Sequence, residues 1–63
     1  MKKVISKIKV KDKRGNISIG DKGETTGVIP HSDGKYPVWF IKHQRPFYWY
    51  PVFMKENEIE FIN

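Results

Sequence analysis

A chain of 63 residues with 38% hydrophobic and 14% aromatic content is read as one domain, residues 1–63, near the lower size limit for independent folding. A chain of this length buries only about 60% of its unfolded surface. It has no cysteine, which excludes a disulfide staple and a thiolate metal site, so aliphatic and aromatic side chains must supply the core. The net charge of +5 is unevenly spread. Lys2, Lys3, Lys7, Lys9, Lys11, Lys13 and Arg14 stand against Asp12 at the start, and Glu56, Glu58 and Glu60 close the chain.

The opening MKK is not followed by the apolar run of roughly 7–15 residues that a signal peptide needs. No stretch approaches the roughly 20 apolar residues of a membrane-spanning helix. The expectation is a soluble, cytoplasmic protein.

Residues 3–11 (KVISKIKVK) alternate, with Val4, Ser6, Ile8 and Val10 on one face and Ile5, Lys7, Lys9 and Lys11 on the other. The β-branched content and the period of two predict a strand, and the lysine face suits an edge. Residues 12–16 read as a turn with Gly15 open to positive φ. Ile17-Ser18-Ile19 is a short extended piece, residues 20–23 a second turn, and residues 24–30 a second strand. Gly27 is expected to mark a bulge or a close backbone approach there, and Pro30 to end the pairing. Asp33-Gly34 between two β-rich runs is a strong hairpin signal. Residues 35–53 carry all nine aromatics but Phe61. They predict a hairpin with arms at 36–41 and 47–53 around a polar break at 43–46. Residues 54–57 are read as one 3₁₀ turn. In the last strand, 58–62, Ile59 and Phe61 face the core and Glu58 and Glu60 face water. The prediction is an all-β, five-stranded barrel with a short 3₁₀ turn before the last strand.

That outline resembles an SH3-like barrel over residues 17–62. The residues that carry the resemblance are Ile19-Gly20-Asp21-Lys22-Gly23, Gly27-Val28-Ile29, Tyr36-Pro37-Val38-Trp39-Phe40 and residues 47–50 and 56–62. The pattern is similar to the fold of photosystem I subunit IV and of the ferredoxin–thioredoxin reductase variable chain. KOW-type and mind-bomb-type barrels are more distant in pattern. The Ala-Leu-Tyr-Asp-Tyr signature of proline-peptide-binding SH3 domains has no counterpart, and no family's functional residues are carried over. The Lys, Ile and Asn content and the length also resemble small proteins of phages and mobile elements.

Catalytic signals are absent from the pattern. His31 and His43 both fall in predicted turns, where an exposed histidine is the ordinary outcome, and no nucleophile signature frames Ser32. Two histidines without metal-ligand spacing give no metal site, and no cofactor is expected. Residues 20–23 lack the spacing and the Lys-Ser/Thr close of a phosphate loop. Two features stand above this background. Tyr36, Trp39, Tyr48, Trp49 and Tyr50, with Arg45 at the hairpin tip, exceed what so small a core needs and can anchor a partner protein. Lys7, Lys9, Lys11, Lys13 and Arg14 can contact the phosphates of a nucleic acid while exposed aromatics stack on bases.

The reading is therefore a non-catalytic module that binds a partner protein through an aromatic patch, the alternative being a nucleic-acid-binding barrel. A third account of the charge polarity needs no ligand. If the first and last strands pair, Lys7 or Lys9 would lie opposite Glu58 or Glu60.

Overall fold

The computed structural model describes residues 1–26, 33–43 and 50–62. They form β1 (Lys2–Ser6), β2 (Lys22–Thr25), β3 (Lys35–Phe40), a 3₁₀ turn at Ile41–His43, β4 (Val52–Lys55), a second 3₁₀ turn at Glu56–Glu58, and β5 (Ile59–Ile62). The strands make one antiparallel sheet in the order β4-β3-β2-β1-β5. The first and last strands thus pair, with Val4 opposite Phe61 and Ser6 opposite Ile59.

The sheet is strongly coiled, and chain connectivity requires it. β4 and β5 are the two edges, four strand spacings apart along the sheet. At about 4.8 Å per spacing that is roughly 19 Å in a flat sheet. Only the 3₁₀ turn Glu56–Glu58 joins them, and a three-residue 3₁₀ segment spans about 6 Å. The edges therefore converge at that end. The rings of Tyr36 on β3 and Phe61 on β5 also meet edge to face, with centroids 5.5 Å apart. Principal extents of 25 × 23 × 21 Å describe the same curled shape.

The concave face holds the core: Val4, Ile17, Tyr36, Val38, Phe40, Met54 and Ile59. The period-two pattern selects these residues on β3, where Tyr36, Val38 and Phe40 alternate with half-buried Lys35, Pro37 and Trp39. Gly23 of β2 sits beneath this row. A Cβ there would lie 2.9 Å from the Trp39 carbonyl oxygen and 3.0 Å from Val38 Cγ1, so the close approach of β2 to β3 requires glycine. Pro37 falls just beyond the β2–β3 ladder, which ends at Thr25 opposite Val38. Its missing N–H costs no bond on that side.

Several boundaries differ from the expectation. The first strand ends at Ser6 instead of Lys11. The Ser6 hydroxyl donates to the Ile8 carbonyl (2.6 Å) and accepts from the Ile8 N–H (3.3 Å), and this local bonding turns the chain out of the ladder. The predicted faces nonetheless hold, with Val4 and Ser6 buried, Ile8 and Val10 half-buried, and Lys7, Lys9 and Lys11 exposed. Met54 and Lys55, read as part of a turn, belong to β4 because Tyr36 pairs with Met54 and Val38 with Val52. That register seats Met54 in the core. The 3₁₀ turn follows it at Glu56–Glu58. Ile19 points outward at 64% exposure. Gly27, Pro30, residues 44–46 of the polar break and residues 47–49 of the second arm lie outside the described residues.

Candidate functional site

Residues 7–21 leave the sheet as a long loop that is bonded to Lys42, His43 and Tyr50. A two-bond bridge pins its middle: Val10 N–H donates to the Ile17 carbonyl (3.0 Å) and Ile17 N–H to the Val10 carbonyl (2.8 Å). At the tip, the Asp12 carboxylate accepts from Arg14 Nε and NH2, both at 2.9 Å, and from the Arg14 backbone N–H at 2.9 Å. The Arg14 side chain holds the Asp12 carboxyl well below the usual carboxylate range. Arg14 NH1 reaches on to donate to the Tyr50 carbonyl oxygen. Asn16 Oδ1 accepts from the Asp12 N–H (3.1 Å).

The loop is fastened from the other side by the 3₁₀ turn after β3. Lys42 Nζ donates to the Asn16 carbonyl (2.8 Å) and pairs with Asp21 Oδ2 (2.7 Å). That ammonium, and then the Ser18 N–H, lower the Asp21 carboxyl below its ordinary value. His43 corrects an expectation. It is not an exposed turn residue but is buried, its Nε2 2.6 Å from the Gly15 carbonyl oxygen and its ring edge-on to Phe40. The 3₁₀ turn places its side chain against Gly15, whose φ of 142° favours glycine. His43 thus acts as a structural peg. His31 lies outside the described residues. Among the described residues no group of three or more His, Cys, Asp or Glu side chains could hold a metal ion.

The aromatic set predicted as a partner patch is divided by the fold. Tyr36 is buried and takes part in the core, as its parity with Val38 and Phe40 requires, so it is not available at the surface. Trp39 is half-buried on the convex face, Tyr50 is 81% exposed, and Arg45, Tyr48 and Trp49 lie outside the described residues. Three residues absent from that set join Trp39. Pro37 shares its face of β3, Phe53 lies directly opposite Pro37 on β4 at 44% exposure, and Ile41 follows in sequence. Alternation from the buried Tyr36/Val38/Phe40 row could have located Pro37; locating Phe53 needed the β3–β4 register. At the end of this row Lys35 lies directly opposite Lys55.

The basic set stays together. Lys7, Lys9, Lys11 and Lys13 are exposed along the loop, and Arg14 is half-buried in its contacts with Asp12 and Tyr50. Lys9 and Lys11 line a surface groove of about 400 Å³ with Val10, Asn16, Ile17 and Ser18. The expected cross-strand ion pairs do not form. Although Lys7 N–H donates to the Glu58 carbonyl (2.8 Å), the Glu58 carboxylate turns back to accept from the Lys55 N–H (2.8 Å), capping the 3₁₀ turn. Glu60 stands opposite Ile5.

Among the described residues, no helix is long and apolar enough to cross a membrane. Comparison with protein-family models, with curated proteins and with solved structures returns no match.

Proposed function

We propose that this chain is a non-catalytic interaction module, an SH3-like barrel whose convex β3–β4 face binds a partner protein. The observation that carries this reading is the alignment of Trp39, Pro37 and Phe53 on the side of the sheet facing away from the core. The concave side fills the core without them. A half-exposed aromatic row on a sheet flank is the kind of anchor that protein interfaces concentrate. Lys35 and Lys55 add a direction. Like charges directly opposite are destabilising in a sheet, and neither lysine takes part in an ion pair among the described residues. A partner surface with an apolar centre and carboxylates at its rim would relieve that repulsion and be steered toward it.

The barrel reading is supported by the coiling of the sheet and by the 3₁₀ turn that joins its two edges. The test is site-specific photo-crosslinking from position 53, using purified chain in a lysate of its native cells, with position 56 on the second 3₁₀ turn as control. The expected result is one discrete heterologous adduct from position 53 that is lost on changing Lys35 and Lys55 to Glu. Equal labelling from both positions, or none from position 53, contradicts the reading.

A further inference from the structure

The structure joins two features that lie 36 residues apart in sequence. We infer that the lysine loop and Tyr50 together form a binding site for single-stranded nucleic acid. This site uses different residues from the convex β3–β4 face and does not depend on that face binding anything.

Charge supplies the first element. Lys7, Lys9, Lys11 and Lys13 are exposed, and the one carboxylate within their segment, Asp12, is engaged by Arg14 through two side-chain bonds of 2.9 Å. The loop's positive charge is therefore not cancelled from within. Glu58, whose carbonyl accepts from the Lys7 N–H, turns its carboxylate to the Lys55 N–H and makes no ion pair with these lysines. Shape comes next. The Val10–Ile17 bridge holds the loop as an ordered ribbon, and Lys9 and Lys11 line its groove together with the polar residues Asn16 and Ser18. These are donors suited to phosphate and sugar oxygens.

The third element is a stacking platform. Arg14 donates to the Tyr50 carbonyl, which fixes Tyr50 at the loop tip while 81% of the residue stays open to solvent. A basic ribbon ending at an exposed aromatic ring is what single-stranded nucleic acid needs: cations that follow the phosphates and a π-face that accepts any base. A duplex keeps its bases stacked internally and has nothing to offer the ring, so single strands are the preferred ligand.

The test is fluorescence anisotropy with labelled dT12 and U12, a 12-base-pair duplex, and heparin as a polyanion without bases. Four lysine–phosphate contacts predict a log–log salt slope of about −2.8, or roughly a 50-fold loss of affinity between 50 and 200 mM salt. Changing Lys9 and Lys11 to Gln should halve the slope. Tyr50→Ala should weaken binding about 5- to 100-fold, while Tyr50→Trp retains it. Preference for U12 over dT12, or the reverse, distinguishes RNA from DNA within the proposal. Binding of duplex or heparin as tight as that of dT12 and U12, indifference to Tyr50→Ala in a variant with unchanged ¹H–¹⁵N spectrum, or no binding at 50 mM salt each overturns it.

Discussion

Two buried positions show how tightly single residues are specified. Thr25 is fully buried, and its hydroxyl has no hydrogen-bond partner among the described residues. Leaving such a group unsatisfied costs about 1–3 kcal/mol. Thr25→Val keeps the branched shape and removes the orphan, so urea unfolding should show a gain of about 1 kcal/mol. Gly23 behaves in the opposite way. Any Cβ there meets the β3 backbone at 2.9 Å, and Gly23→Ala should cost about 1–3 kcal/mol through overpacking. A stabilising Gly23→Ala would mean that β2 can move away from β3. His43 belongs to the same scale. Its place in a polar sequence suggested exposure, because the Gly15 carbonyl that fixes it lies on a distant loop.

At the scale of elements, the period-two pattern revealed more than the boundaries did. Val4 and Ser6 face inward and Lys7, Lys9 and Lys11 face outward, as alternation predicts. The end of β1 was hidden because it depends on the Ser6 hydroxyl turning to Ile8. The second arm of the hairpin was drawn toward the aromatic density at 47–50, whereas pairing with β3 reaches to Lys55. A ladder is set by its partner strand, and no local pattern marks Met54 as a core residue. The charge polarity of the chain ends invited a cross-strand pairing that Glu58 does not make. A double-mutant cycle on Lys7 and Glu58 should accordingly give coupling below about 0.3 kcal/mol. Glu58→Ala alone should lose about 1 kcal/mol, the worth of its bond to the Lys55 N–H. Coupling above about 1 kcal/mol would restore the ion-pair account.

The loop's docking also predicts a pH response. Asp12 and Asp21 both have lowered carboxyl pKa values in the folded chain. A lowered folded value contributes stability that is complete above the unfolded carboxylate range near pH 4 and is lost as pH falls toward the folded value. Thermal melts should therefore fall steeply below about pH 4. Changing both residues to Asn should flatten that acid limb, and an unchanged limb would show that the loop does not stabilise the fold.

The whole molecule is small, and its stability is expected to be roughly 3–9 kcal/mol on the usual per-residue scale. The all-β, five-stranded organisation was readable from the spacing of turns and the absence of a helical period. The strand order was not, since it is written in contacts such as Val4 with Phe61 that no window of sequence contains. The basic residues were legible as one segment, the aromatic ones as residue types but not as a grouping. Folding withdrew Tyr36, added Pro37 and Phe53, and brought Tyr50 to Arg14.

The central claim is that the two faces of the β3–β4 ribbon have separate tasks, the concave one folding the chain and the convex one meeting a partner. The most direct measurement is equilibrium urea unfolding of Phe40→Ala beside Phe53→Ser. The account predicts a loss of about 3–5 kcal/mol for Phe40→Ala, enough to leave much of that variant unfolded. For Phe53→Ser it predicts about 1 kcal/mol or less, with an unchanged slope. A Phe53→Ser loss comparable to that of Phe40→Ala would contradict it, because Phe53 would then be part of what holds the fold together.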